Sequence, residues 1–160
     1  MTGRFQAGIG TLIRRADDHR YLLLRRAAHR DAGANTWECV TGRLEQGESF
    51  EAALHREVME EAGITVQIDF LAATSHFYRG AAVVENELLS VLYCCTITNP
   101  DAITVSDEHG EWRWMTAAEA YAFLEADNWL YRLIQRAETI YSLMPDTLKA
   151  YFQANGYENS

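Results

Sequence analysis

The sequence predicts an α+β layered domain, and three observations support this class. Short apolar runs separated by turn residues recur along the chain, which is typical of strands. Residues 50–62, in the middle of these runs, have the spacing and end signals of a helix. Helical periodicity returns in the C-terminal part of the chain. Such elements pack as layers around one core, and 160 residues suit a single domain over 1–160.

The strands are predicted from apolar runs and from the alternation of apolar and polar residues. They cover residues 5–14, 21–24, 37–40, 65–71, 73–78, 88–97 and 111–115. Turns at 17–19 and 99–101 and polar loops at 27–36, 79–86 and 106–110 separate them. We expect Trp112, Trp114 and Trp129 to be buried in the core.

The helices are predicted from capping residues and apolar periodicity. In the central helix Ser49 is the N-cap, and Gly63 is the stop because glycine adopts the left-handed conformation that ends helices. The later helices are predicted over 117–124 with Thr116 as cap, over 129–143, and from Pro145 to near Gly156.

The composition limits the partners and the compartment. With 14 basic and 23 acidic residues the net charge is −9, which argues against nucleic acid or an anionic membrane as the main partner. The chain has no apolar run of membrane-spanning length and no signal-peptide pattern at its start. Cys39, Cys94 and Cys95 are an odd number without a zinc spacing, so we expect buried thiols in a reducing, cytoplasmic setting.

Three glutamates share one face of the central helix. Glu57, Glu60 and Glu61 stand at positions i, i+3 and i+4, where like charges destabilise a helix. A hard divalent cation such as Mg²⁺ would offset this repulsion, because it prefers oxygen ligands. Arg56 can hold Glu48, in the preceding loop, by a bidentate pair. The three glutamates alone leave a merely solvated acidic face as the alternative.

The stretch around this helix resembles the signature of the Nudix hydrolase family. The signature is glycine, five residues, glutamate, seven residues, Arg-Glu, an aliphatic residue, any residue, Glu-Glu, any residue, glycine and an aliphatic residue. It is matched in full at Gly42, Glu48, Arg56, Glu57, Val58, Glu60, Glu61, Gly63 and Ile64. The resemblance implies the Nudix fold, a mixed sheet sandwiched between helices. It also implies hydrolysis of a diphosphate linkage in compounds of nucleoside diphosphate type, with Mg²⁺ or Mn²⁺.

The resemblance further implies roles for individual residues. The residues implied for catalysis are Glu48, Arg56, Glu57 and Glu60, and those implied for the metal are Glu57, Glu60, Glu61, Glu108 and the carbonyl of Thr41. Glu60 is either a ligand or an acid just outside the ligands. Glu48 is expected either to orient Arg56 or to join the site through a water molecule. A carboxylate accepts the proton of a metal-bound water, and the sequence leaves open which one.

Glu108 is implied by a second acidic segment. Residues 107–114 resemble a segment that supplies one further glutamate from across the cleft in several Nudix enzymes. An acid on a solvated loop is the alternative for Glu108. The next residue, His109, is either a proton carrier or, as is more usual for such a histidine, a structural residue.

Four short pieces resemble the bacterial dihydroneopterin triphosphate pyrophosphatase subgroup. They are residues 37–42, the loop with His76, Tyr78, Gly80, Asn86 and Glu87, the segment with Glu108, His109, Trp112 and Trp114, and Asn128–Trp129. The implied reaction cleaves a triphosphate to a monophosphate and pyrophosphate. The expected substrate contacts are Arg26, Trp37, Glu38 and Tyr78. Arg26 would contact phosphate, unless it is a solvated arginine at a strand end, and the two aromatic rings would stack on a base-like ring.

Two alternatives to this function remain open. One is hydrolysis of (deoxy)nucleoside triphosphates, including damaged ones. The other is a catalytically inactive module that senses a nucleotide, against which the complete set of glutamates argues. We expect a small phosphorylated substrate, no nucleic-acid or membrane partner, and a monomer or homodimer.

Overall fold

The computed structural model describes residues 3–30 and 33–159, so part of the loop predicted at 27–36 lies outside the described residues. The strands are β1 (Gln6–Arg15), β2 (Tyr21–Arg26), β3 (Trp37–Glu38), β4 (Val40–Arg43), β5 (Gln67–Tyr78), β6 (Glu87–Ile97) and β7 (His109–Met115). The helices are α1 (Phe50–Ala62), α2 (Ala117–Phe123), α3 (Trp129–Leu143) and α4 (Asp146–Asn155). Short 3₁₀ turns cover Val84–Asn86 and Pro100–Ala102.

The strands form one mixed sheet built around β1. The pairing order is β3-β2-β1-β6-β5, with β4 beside β1 and β7 beside β2. β1 and β6 are parallel, whereas the other pairs are antiparallel. The strand predicted over 37–40 is in fact two short strands that meet at Cys39. The reason is a change of neighbour, because β3 pairs with β2 and β4 pairs with β1.

Helices cover both faces of this sheet. On one face α1 packs Ala53, Leu54 and Val58 into a cluster that includes Leu22 and Tyr93. On the other face α2 and α3 pack against residues that include Leu12 and Leu23. α4 lies against β5. The predicted α+β class, with a mixed sheet sandwiched between helices, is therefore confirmed.

The central helix α1 begins and ends where its sequence predicts. The Ser49 hydroxyl accepts a hydrogen bond from the backbone N–H of Ala52 at 3.2 Å. Gly63 has a φ of 66°, and its N–H donates to the carbonyl of Met59 at 3.0 Å. These two caps fix the register of the helix and with it the direction of the acidic face.

The two strands predicted over 65–71 and 73–78 form the single strand β5. Its pairing with β6 shifts between Ile68 and Phe70 and again between Leu71 and Ala73. Such irregularities interrupt the alternation of apolar and polar residues without ending the strand, and the sequence pattern therefore gave the wrong boundary.

The predicted burial holds for the cysteines but not for the tryptophans, of which Trp114 is only half-buried. Cys39, Cys94 and Cys95 are free and buried, as expected. Trp112 and Trp129 are 41% and 38% exposed. Trp112 lies on β7, which pairs with β2 alone among the described strands, and Trp129 is the first residue of α3.

Candidate active site

A glycine allows the acidic helix to pack closely against the sheet. Gly42 lies in β4, opposite Ile9 of β1. The carboxylate of Glu57 occupies the space that a side chain at residue 42 would need. Glu57 is therefore held between α1 and the end of β4, with its side chain 13% exposed. Burial raises the pKa of Glu57, against the opposing effect of Arg56.

Arg56 joins three carboxylates of the signature. Its Nε and Nη2 donate to the two oxygens of Glu48 at 2.9 and 2.8 Å, which confirms the predicted bidentate pair. Its Nη1 donates to Glu57 at 2.9 Å and to Glu60 at 3.2 Å, and Nη2 also donates to the carbonyl of Arg43. The hydrogen bonds from Arg56 lower the pKa of Glu48 to about 2. The loop and the helix are thus tied together by one guanidinium group.

Glu61 is the buried member of the acidic face, with 5% of the residue exposed. Burial first, and then the charges of Glu38, Glu57 and Glu108, raise the pKa of Glu61 to about 9, against a smaller opposing effect of the Thr41 backbone. Among the described residues, Oε2 of Glu61 has no hydrogen-bond partner. A buried carboxylate oxygen without a partner is costly, so this position favours either a proton or a cation.

Arg26, Glu38 and His109 form a chain of contacts behind Glu61. Arg26 Nη1 lies 3.1 Å from Glu38 Oε1, and His109 Nε2 lies 3.1 Å from the same oxygen. Nε2 of His109 is also 4.0 Å from Oε2 of Glu61. The side chains of Arg26 and Glu38 are each only 11% exposed. In the structure Arg26 and Glu38 contact each other and His109, and their contact with substrate stays a prediction.

Glu108 lies near the acidic face but pairs with an arginine. Its charge raises the pKa of Glu57 and of Glu61, which places it within electrostatic reach of both. Its carboxylate is 2.7 Å from Nη2 of Arg30. Its carbonyl accepts a hydrogen bond from the N–H of Ala27, which attaches the loop after β2 to the start of β7.

The aromatic residues predicted to bind a ring are not brought together. Trp37 lies on β3 and packs edge-on against Phe123 of α2, with ring centroids 5.1 Å apart. Tyr78 ends β5 and packs edge-on against His76. β3 and β5 are at opposite ends of the pairing order, so one flat ring cannot stack on both.

An open groove adjoins the acidic face. Its volume is about 700 Å³. It is lined by the start of β1, by the signature loop, and by Arg56 and Glu57 of α1. Thr41 lies in β4, where its partner across the sheet is Gly10. The groove offers room for a phosphorylated compound beside the carboxylates.

The donor set suits a divalent cation, although its side chains do not converge on one point. In the described part of the chain, no three His, Cys, Asp or Glu side chains are close enough together to hold an ion. The carboxylates are turned instead to Arg56 and Arg30. Within the described part of the chain, a buried oxygen of Glu61 nevertheless has no hydrogen-bond partner and lies near other carboxylates. Oxygen ligands of this kind are those that Mg²⁺ and Mn²⁺ prefer.

Two features of the site were not predicted from the sequence. Arg30 pairs with Glu108 across 78 residues of chain, and no local pattern indicates such a contact. His109 was left as either a proton carrier or a structural residue, and the structure buries its side chain completely between two glutamates. The feature of the sequence that indicates a role for His109 at the site is its position directly after Glu108, and His109 is the first residue of β7.

The fold and the site together define a Nudix-type domain. The fold is a mixed sheet between helices, and the site is a glycine-containing loop that leads to a helix with an arginine and three glutamates. Residues 4–137 match the family model described as the NUDIX domain, and the chain belongs to that family. Nudix hydrolases act on pyrophosphate bonds and generally use divalent metal ions. The family and the fold predicted from the sequence are thus confirmed.

Two solved structures illustrate the likeness of the fold. A MutT protein from Methanosarcina mazei Go1 has a TM-score of 0.71 and 22% identity, over 87% of this chain and 96% of that chain. The dihydroneopterin triphosphate pyrophosphohydrolase of E. coli has a TM-score of 0.65 and 24% identity, over 83% of this chain and 96% of that chain. At these identities the similarity shows the fold alone.

One curated relative is matched over only part of its length. It is the octanoyltransferase of Myxococcus xanthus, 34% identical over 113 residues, which are 68% of this chain. The chain spans 30% of that protein. In the described residues, none of the helices has both the length and the apolar character needed to cross a membrane.

Proposed function

We propose that the protein is a divalent-metal-dependent pyrophosphohydrolase that acts on a small phosphorylated compound. One observation carries the proposal: Glu61 is buried in the acidic face of α1, with an oxygen that has no hydrogen-bond partner among the described residues. Several carboxylates around one buried acid form an unfavourable arrangement unless a proton or a cation is bound. Membership of the NUDIX domain family favours the cation.

Glu57 and Glu61 would hold the cation, with Glu60, Glu108 and the Thr41 carbonyl as further oxygen donors. Mg²⁺ fits this oxygen-only set, and Mn²⁺ is expected to replace it. When bound, the cation supplies positive charge for the phosphate oxygens and lowers the pKa of a bound water. Neither ion needs a nitrogen or sulfur ligand from the protein.

The residues of the chain itself supply orientation and proton transfer. Arg56 is fixed by its bidentate bonds to Glu48, so it holds Glu57 in one orientation. Glu57 and Glu60 are the candidate acceptors of the water proton. Burial raises the pKa of Glu57, which makes it a better proton acceptor than an ordinary carboxylate. Glu60, with 57% of its side chain exposed, is the one most open to solvent.

The finer proposal is that the substrate is a triphosphate, of dihydroneopterin or nucleoside type, cleaved to a monophosphate and pyrophosphate. Its support is the resemblance of residues 37–42, the His76–Glu87 loop and Asn128–Trp129 to the pterin subgroup. Metal and arginine grip any polyphosphate, so the choice of ring must come from stacking and from hydrogen bonds to ring edges. Because Trp37 and Tyr78 lie apart, we propose that only one of them contacts the ring. The free, buried cysteines fit a reducing compartment, and a cytoplasmic location is part of this proposal.

A product-resolved substrate panel tests the proposal. The purified chain is incubated with Mg²⁺ and dihydroneopterin triphosphate, dATP, dGTP or ADP-ribose, and orthophosphate and pyrophosphate are measured separately. We expect Mg²⁺-dependent release of pyrophosphate from at least one triphosphate. Pterin and purine rings have similar flat faces, so some activity on both is expected. Orthophosphate as the only released phosphate would reject the cleavage position, and a kcat/KM for ADP-ribose above every triphosphate would reject the substrate class.

The alternative of a nucleotide-sensing module makes the opposite prediction. Such a module would bind nucleotides but release no phosphate from any of the four compounds. The matched control is Glu125→Gln, which removes an exposed acid before α3 that is not among the residues lining the groove. This variant is expected to hydrolyse the same compounds as the unmodified chain.

A further inference from the structure

The side chain of His109 is fully buried next to the acidic face, and the proposed reaction does not use it directly. It is 0% exposed, and its Nε2 lies 3.1 Å from Glu38 Oε1 and 4.0 Å from Glu61 Oε2. In the described residues its Nδ1 has no hydrogen-bond partner. Buried polar groups are usually satisfied, so the cost of burying this ring points to a role that an apolar side chain could not fill.

Three strands bring this contact chain together. Arg26 of β2 pairs with His109 of β7 across the sheet, and Glu38 lies on β3, on the other side of β2. All three side chains point to the face that α1 covers, since they contact one another and His109 approaches Glu61. The chain of contacts therefore joins the rigid sheet to the acidic face of the helix.

The proton positions in this chain follow from the chemistry of the groups. An ionised carboxylate only accepts hydrogen bonds, so Nε2 of His109 must be the donor to Glu38. The charge of Arg26 offsets that of Glu38 at 3.1 Å. This fixes the imidazole ring, whose N–H edge then lies beside Oε2 of Glu61. A fixed ring beside one oxygen restricts the rotation of the whole Glu61 carboxylate.

We propose that His109, held by Glu38, is a positioning residue that orients Glu61 for cation binding. The inference rests on the proposed function, because it assumes that Glu61 is a ligand. It assigns Glu38 and Arg26 to the support of the site rather than to direct substrate contact. Residues that orient metal ligands in this way act on metal affinity without touching the metal.

Direct measurement of Mn²⁺ binding without substrate tests the proposal. The dissociation constant is measured by isothermal titration calorimetry for the unmodified chain, His109→Leu, His109→Asn and His109→Gln. The amide of glutamine reaches the position of Nε2, whereas that of asparagine reaches only the position of Nδ1. We expect His109→Leu and His109→Asn to raise the Kd about 10- to 100-fold, and His109→Gln to stay within about threefold, because it keeps the bond to Glu38.

A second histidine–glutamate pair provides the matched control. His76 Nε2 lies 2.8 Å from Glu87 Oε1, but this pair is exposed at the end of β5. His76→Gln is expected to leave the Kd unchanged. Far-ultraviolet circular dichroism and thermal melting accompany each variant, so that affinity is compared between folded proteins. If His109→Leu does not fold, His109→Asn is the variant compared with His109→Gln, because asparagine keeps the site polar.

The outcomes separate this proposal from the function on which it rests. If the unmodified chain binds Mn²⁺ and folded His109→Asn binds it equally well, the positioning role is rejected and the metal site stands. If His109→Gln binds Mn²⁺ as weakly as His109→Asn, a hydrogen-bond donor at the position of Nε2 makes no difference to the affinity, and the proposal is also rejected. If the unmodified chain binds no Mn²⁺, the metal site and the positioning role are rejected together.

Discussion

Glu57 occupies the place that a side chain on Gly42 would take. A β-carbon built on Gly42 would lie 1.9 Å from Cδ of Glu57 and 2.1 Å from its Oε1. Both distances are far below van der Waals contact, so the chain packs a carboxylate directly on a glycine backbone. The first glycine of the signature is therefore explained by the position of a glutamate 15 residues later, and not by backbone conformation.

Gly42→Ala should displace Glu57 and reduce activity more than stability. The new methyl group forces the carboxylate to move, and a misplacement of ~1 Å at a reacting centre can cost about 100-fold in rate. We expect kcat to fall by this factor while the protein stays folded, as judged by kinetics and by thermal melting. Gly110→Ala is the control, because its β-carbon would meet Ala27 Cα at an ordinary 3.8 Å. Equal activity of the two variants would contradict the steric explanation.

Glu108 should contribute to the site from across the groove. It raises the pKa of both Glu57 and Glu61 by its charge, whereas Glu111, three residues further, is bound to Arg113 and Arg25. Glu108→Gln should therefore lower kcat far more than Glu111→Gln under saturating Mg²⁺. If the two variants behave alike, or if Glu111→Gln is the more damaging, the role given to Glu108 is wrong.

The pair of Glu48 and Arg56 should give a stability that depends on pH. The bidentate bonds lower the pKa of Glu48 from 4.5 to about 2 in the folded protein. A group with a lowered pKa in the folded state stabilises above its unfolded value, and the effect is lost as the pH falls towards the folded value. Glu48→Gln should therefore lower the melting temperature at pH 6 to 7, and the difference should shrink between pH 4.5 and 2.

Thermal melting over this pH range checks the prediction. Glu45→Gln serves as the control, since its exposed side chain lies in the same loop. A Glu48→Gln variant whose deficit is the same at pH 3 as at pH 7 would show that charge is not the cause.

The C-terminal segment should stabilise the helix that carries the acidic face. The carboxylate of Glu158 accepts hydrogen bonds from the N–H groups of Phe50 and Glu51 at 2.9 and 3.0 Å. These are the first two residues of α1, whose N–H groups have no partner within the helix. Glu158→Ala should cost about 1 kcal/mol in the free energy of unfolding, as for the loss of an N-cap.

Urea denaturation measures this cost. Glu125→Ala, which removes an exposed acid before α3, is the control. An unchanged free energy of unfolding in Glu158→Ala would show that the contact contributes nothing to stability. This segment lies beyond residue 137, where the match to the family model ends.

The sequence predicted those features that local residues determine. Ser49 and Gly63 cap α1 as their types require, and the bidentate pair of Glu48 and Arg56 forms as expected. Each of these depends on residues within one loop and one helix. The family signature covers the same stretch, so the acidic face could be identified from the chain alone.

The sequence could not predict features that depend on strand pairing. The change of neighbour at Cys39 divides one apolar run into β3 and β4, because each half joins a different part of the sheet. The same sheet places Trp37 and Tyr78 at opposite edges, which the sequence does not show. The contact of Glu38 with His109 spans 71 residues and exists only because β3 and β7 flank β2.

The central claim is that Glu57 and Glu61 together hold a divalent cation. Its most direct test is calorimetric titration of Mn²⁺, without substrate, into the unmodified chain, Glu57→Gln, Glu61→Gln and the control Glu45→Gln. We expect Mn²⁺ to bind the unmodified chain and Glu45→Gln with the same Kd. Each of the other two variants should bind at least about tenfold more weakly, because it loses a charged ligand. Equal affinity in all four folded proteins would contradict the claim.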